Sequence, residues 1–173
     1  KVKAAYPQMS FKYEVEGSEN CNKIKELSLK QMTLQSNING LVKDPNIGND
    51  SIESIVGRML QAYKQDIKAN YIFKEPMKAY AYYALFQTVQ LGNTNTLIFN
   101  PRNNKDDVKV FAAVATSWDT YYPGAERGKN LHNIAIEGMK DIRIIENQMA
   151  QQQIEASKVS VNGCIELALQ DNK

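Results

Sequence analysis

The chain has 173 residues, 43% of them hydrophobic and 23% charged, with a net charge of +2. That is the make-up of one ordinary globular domain, long enough to bury a core without disulfide staples. Lys and Arg are dispersed, which excludes the clustered cations of a nucleic-acid surface, and no apolar run is long enough to cross a membrane as a helix.

The start, KVKAAYPQMSFKYEV, has no initiator Met and no long apolar core of a signal peptide. It reads as a mature, trimmed or subcloned piece, so the missing signal says little about compartment. Residues 8–16 alternate Met9, Phe11, Tyr13 and Val15 against Ser10, Lys12, Glu14 and Glu16, a period-two pattern that predicts a short half-buried strand. Gly17-Ser18 breaks it, and Ser18 or Asn20 is placed to cap a helix whose first turn carries Glu19.

From about 20 to 42 the apolar positions Ile24, Leu27, Leu34, Ile38 and Leu41 recur at three-four spacing, with Gln31 in the one missing place. This narrow stripe predicts a helix packed on other helices. Lys43-Asp44-Pro45 ends it. A second helix is predicted over 51–72, capped by Asp50 or Ser51, with Ile52, Ile55, Val56, Met59, Leu60, Tyr63 and Ile67 along its stripe. Glu75-Pro76 separates it from a third, over 76–91, that is apolar nearly all round and therefore central, with Gly92 as its C-cap.

Leu97–Phe99 then reads as a short extended or plugging segment, and Asn100-Pro101 as a turn. The fourth helix is predicted over 105–121 with Val108, Phe111, Ala112, Ala115 and Trp118 inward and Asn104 or Asp106 as cap. The fifth runs from about 125 to 158, its stripe of Leu131, Ile134, Ala135, Met139, Ile142, Ile145 and Met149 fading into the polar QQQIEASK, an arm leading out of the bundle. Ser160-Val161-Asn162-Gly163 reads as a turn and CIELALQD as a closing alternating strand. The predicted fold is mainly α, a bundle of about five helices with short flanking β-strands at both ends.

Little chemistry is legible. His132 is the single His and has no carboxylate at metal-ligand spacing. There is no GxSxG, no phosphate-binding glycine loop and no CxxC. Asp106, Asp107 and Asp119 read as caps or solvated positions. Cys21 and Cys164 are far apart; two separate thiols are the simpler reading, and a disulfide closing the long loop in an oxidising compartment is the other. The stretch from Asn70 to Pro123 holds the only Trp and all but one of the Phe residues. Tyr80, Tyr83, Phe86, Trp118 and Tyr122 within it form either core or an aromatic groove for a peptide or apolar ligand.

That same stretch carries a family pattern. NYIFKEPMKAYAYYALFQ, followed by LIFNPRNNKDDVKVFAAVATSWDTYYPGAERGKNLHNIAIEGMKDIR, resembles the helical middle region of TlpA/ResA-like envelope thiol-disulfide oxidoreductases, which are thioredoxin-like proteins. The resemblance spans roughly residues 12–173. It implies that 1–17 is the remnant strand of an N-terminal β-rich domain, 18–159 the helical domain, and 160–173 a linker with the first strand of a following thioredoxin-like domain. It implies a cell-envelope location, periplasmic or outer-surface, with a lipid anchor in the parent protein. The expected partners are the protein's own thioredoxin-like domain and an envelope protein. The family's redox work belongs to a WCxxC-type motif that this stretch lacks, so no catalytic residue, metal or cofactor is carried over. The expected function is a non-catalytic accessory domain that spaces or presents the redox domain or holds a partner.

Overall fold

The computed structural model describes the backbone of residues 2–4 and 13–170 and the side-chain surroundings of 16–158. It is mainly α. Two short strands, β1 (Val2–Ala4) and β2 (Tyr13–Val15), pair antiparallel, Val2 opposite Val15. Residues 8–12 of the expected strand lie outside the described residues.

Helix α1 (Glu19–Val42) starts where Ser18 accepts a hydrogen bond from the Cys21 amide at 3.4 Å, satisfying one of the orphan amides of the first turn. Leu27, Leu34 and Ile38 of its stripe are buried. Helix α2 (Asn49–Ile67) returns antiparallel after the Pro45 loop. Its N-cap is Gly48, which has no side chain to accept from the first-turn amides, rather than Asp50 or Ser51. Its predicted last turn is helical but widens into a π-helical turn over Lys68–Ile72, which delivers Tyr71 and Ile72 into the core.

The third predicted helix is shorter than its apolar pattern. Helix α3 (Ala79–Leu85) stops before Gln87, and the chain folds into a hairpin of β3 (Thr88–Leu91) and β4 (Thr94–Leu97) with Leu91 opposite Thr94. Gly92 is the first of the two turn residues rather than a C-cap. Its φ of +60° while Asn93 stays at negative φ is the pattern of a type II′ turn, which matches the twist of the strands. Ile98 and Phe99 then plug into the core, as the extended reading of that segment requires.

Helix α4 (Lys105–Tyr121) is capped by Asn104, whose side chain accepts from the amides of Asp106 and Asp107. Helix α5 (Glu126–Gln170) packs along α4 through Leu131, Ala135 and Ile142. Gly138 makes that approach close: a Cβ there would lie 2.5 Å from the Pro101 carbonyl oxygen. The strand and turn expected over 160–170 are helical instead. The alternation of Cys164-Ile165-Glu166-Leu167 is short, its residues are mostly good helix formers, and extending an existing helix costs far less than starting a new element.

One core joins all the helices. Tyr80, Ala81, Ala84 and Leu85 of α3 lie at its centre, with Phe111 and Val114 of α4, Leu27 of α1 and Phe99 around them. The aromatic stretch from Asn70 to Pro123 therefore supplies the packing centre of the body.

Candidate functional site

The five aromatic residues expected to line a groove are divided by the fold. Tyr80 is buried against Tyr71, ring centroids 6.5 Å apart and nearly perpendicular, and its hydroxyl donates to Glu75 at 2.5 Å. Burial and the Glu75 carboxylate both push that phenol up, while the bond holds Glu75 below the usual carboxylate range. Trp118 is mostly buried and donates its indole N–H to the Pro76 carbonyl at 3.1 Å. Tyr82 bridges Phe86 and Trp118 at 4.9 and 5.4 Å, and the exposed Tyr122 packs on Trp118 at 5.1 Å, its ring tilted by 54°. Tyr83 is exposed on its own. Phe86, Trp118 and Tyr122 thus share one ladder of rings, and Tyr80 and Tyr83 do not join it. Of the set, Phe86 borders a small cavity of about 130 Å³ with Leu97, Pro101 and Phe111.

A larger cleft lies elsewhere, where the C-terminal half of α1 and the N-terminal half of α2 meet the hairpin tip. Its volume is about 670 Å³, within the range of small-molecule sites. Ile38 and Val42 line one wall, Ile52, Val56 and Leu60 the other, and Leu91 the end at the hairpin. Gly57 lies between Val56 and Leu60 on α2, and a Cβ there would meet nothing within 4 Å. Asn39, Lys43, Glu53 and Gln90 form the polar rim.

Three glutamines fix the hairpin against the helices that form this cleft. Gln87, just before β3, is buried; it donates to the Leu27 carbonyl at 2.9 Å and accepts from the Tyr63 hydroxyl at 2.8 Å. Gln31 donates to the Thr88 carbonyl at 2.9 Å. Gln35 takes both backbone groups of Gln90, accepting its N–H at 2.7 Å and donating to its carbonyl at 3.0 Å. The outer edge of β3 is therefore occupied by side-chain amides one helical turn apart on α1. Gln31 interrupts the apolar stripe because its place in the packing faces a strand edge, which needs a donor.

The charged groups hold elements together. Asp107, expected at a solvated position, is buried; Lys64 of α2 donates to it at 2.6 Å and the Asn100 amide at 2.8 Å. His132 is paired with Asp119 across α4 and α5. Cys21 carries a free, exposed thiol in the first turn of α1; the side chain of Cys164 lies outside the described residues. Among the described residues no three His, Cys, Asp or Glu side chains gather as metal ligands do, and no helix is long and apolar enough to cross a membrane.

No family model, no curated protein and no solved structure matches this chain.

Proposed function

We propose that this chain is a non-catalytic helical accessory domain of an envelope thioredoxin-like protein, spacing or presenting a redox domain. The observation that supports this reading is α5. Its first half is cemented to the body by Leu131, Ala135 and Ile142, whereas every residue from 146 to 158 is exposed. A helix anchored at its root and exposed over 146–158 suits a connector that holds something at a set distance. The pattern NYIFKEPMKAYAYYALFQ supplies the family, because those residues resemble the middle region of TlpA/ResA-like proteins. The test is the reading frame that encodes the chain, followed by an insulin-reduction assay. A thioredoxin-like domain with a CxxC pair is expected downstream of Lys173, active in the assay, with the helical body alone inactive for want of a dithiol. A frame with no such domain, or reductase activity in the helical body, overturns the proposal.

The cleft favours a second reading, a binding module for an apolar ligand, moved from the aromatic ladder to the wall between α1 and α2. Filling the cleft tests it. Gly57→Trp is expected to abolish the fluorescence of a bound anilinonaphthalene sulfonate dye while Gly57→Ala retains it. Equal dye binding by both variants removes this reading.

A further inference from the structure

The cleft also constrains what enters it, and this inference rests on the second reading above. We infer that it takes a single aliphatic chain whose polar head carries both an anionic and a cationic group, as in a lysophospholipid with a zwitterionic head.

The interior argues for the chain. Ile38, Val42, Ile52, Val56, Leu60 and Leu91 are all aliphatic, so the walls offer dispersion contact and burial but no ring for stacking. They offer little to a peptide backbone either. Away from their ends, the amides and carbonyls of α1 and α2 bond one another, and the outer edge of β3 is already taken by Gln31 and Gln35, so only the last turn of α1 and the first of α2 offer backbone groups to a ligand. An extended peptide in the cleft would leave its own N–H and C=O groups unpaired, which is costly, whereas a methylene chain has none to satisfy.

The rim argues for the head. Lys43, at the end of α1, and Glu53, in the second turn of α2, stand on the two walls, and neither has an ion pair or hydrogen-bonded side-chain partner. Asn39 lies one turn before Lys43; its oxygen accepts from Gln35, which leaves its amide N–H groups free beside the ammonium. A phosphate would meet Lys43 and Asn39, and an adjacent ammonium would meet Glu53. A fatty carboxylate would gain the first contact but suffer the Glu53 charge.

The test uses the chain labelled on Ile, Leu and Val methyls, titrated below micelle formation with dodecylphosphocholine, dodecanoate and dodecyl maltoside. Saturable shifts at Ile38, Val56, Leu60 and Leu91 are expected, with dodecylphosphocholine the tightest. Glu53→Gln should weaken that probe and strengthen dodecanoate, each by about threefold, as for a solvent-exposed ion pair. Lys43→Gln should weaken both anion-bearing probes and leave the maltoside unchanged. Gly57→Trp should abolish all three while circular dichroism reports an intact fold. Three probes of equal affinity, indifferent to Lys43 and Glu53, would overturn the head-group assignment yet leave an apolar site standing. Loss of dye binding with Gly57→Trp but no methyl shifts with any aliphatic probe would overturn the chain. Saturation of the same methyls by an amphipathic helical peptide, and by no lipid probe, would overturn it in favour of a peptide.

Discussion

Two glycines show how much a single hydrogen atom in place of a methyl decides. At Gly138 the missing Cβ lets α5 lie on the Pro101 carbonyl, and a methyl at 2.5 Å from that oxygen, with Val108 Cγ2 at 3.1 Å, has nowhere to go. Gly138→Ala is expected to lower stability by about 1–3 kcal/mol, as overpacking does. Gly57 faces open space on a helix, so Gly57→Ala should raise stability by about 0.5–1 kcal/mol. Urea denaturation of the two variants, with unchanged m-values, checks the opposite signs. The tyrosines set a second expectation. Burial pushes the hydroxyls of Tyr63 and Tyr80 well above their ordinary value, and burial with Glu26 pushes that of Tyr71 up to about 12. The folded state therefore keeps protons that the unfolded chain gives up near 10, so this stability is whole below the ordinary phenol value and drains away as pH rises through the folded ones. Carboxylates act on the other limb: hydrogen bonds from Lys23 and Lys30 hold Glu26 and Asp66 low, so their small contribution is complete above the ordinary carboxylate values and is lost as pH falls through the lowered ones. Melting temperature against pH should fall steeply on the alkaline side, and Tyr71→Phe should flatten that fall. An unchanged alkaline limb in the variant would contradict the role of Tyr71.

Among the elements, the hairpin is held by amides of unequal worth. Gln87→Leu leaves the Leu27 carbonyl with only its helical bond and takes the acceptor from the Tyr63 hydroxyl, and should cost about 1–3 kcal/mol, whereas water can replace Gln35 at the exposed edge, so Gln35→Ala should cost under about 1 kcal/mol. Hydrogen exchange reads the second change locally, as faster exchange of the Gln90 amide. The hairpin also marks the limit of reading the chain alone. Thr88, Val89, Thr94 and Thr96 with Gly92-Asn93 between them were a legible hairpin signal, but Val89 also continues the helical spacing of Tyr82 and Phe86, and the helix reading absorbed it. The ends of α4 and the stripe of α1 were legible because caps and periodicity are local. The use of Gln31 was not, since its partner Thr88 is 57 residues away and nothing near Gln31 announces a strand edge. The same holds for the buried Asp107, whose half-buried partner Lys64 is 43 residues away. The cleft was invisible for that reason too: it is made by the loop length after α1, the bareness of Gly57 and the place where the hairpin tip lands. The aromatic ladder was legible as a concentration of rings but not as a core rather than a groove, because ring composition is common to both.

For the whole molecule, the body and the exposed stretch of α5 over residues 146–158 differ in how much packing they carry. The core closes with Ile142, and the Lys105–Glu146 contact at 3.2 Å is the outermost tie of the helix to the body among the described residues. Replacing the exposed Met149 and Ile154 by Ala should leave the melting temperature of the body within about 2 °C, as surface substitutions do. Limited proteolysis should cut the exposed half of α5 before any other helix, because an exposed helix without packing opens at little cost. A large drop in melting temperature on those substitutions would mean that this stretch of α5 packs on the body after all.

The Gly138–Pro101 contact and the reach of α5 together make a lever and its fulcrum. At the α-helical rise the helix extends about 40 Å beyond Ile142. Tilting the root by about 10° would then swing the far end by about 7 Å, roughly the spacing between packed helices. The fulcrum lies where α5 crosses the Pro101 turn, between the small Phe86 cavity and the α4 stripe. A shift of a side chain there is small in place and large at a distance. The direction in which α5 leaves the body is thus sensitive to one glycine in the first third of the helix.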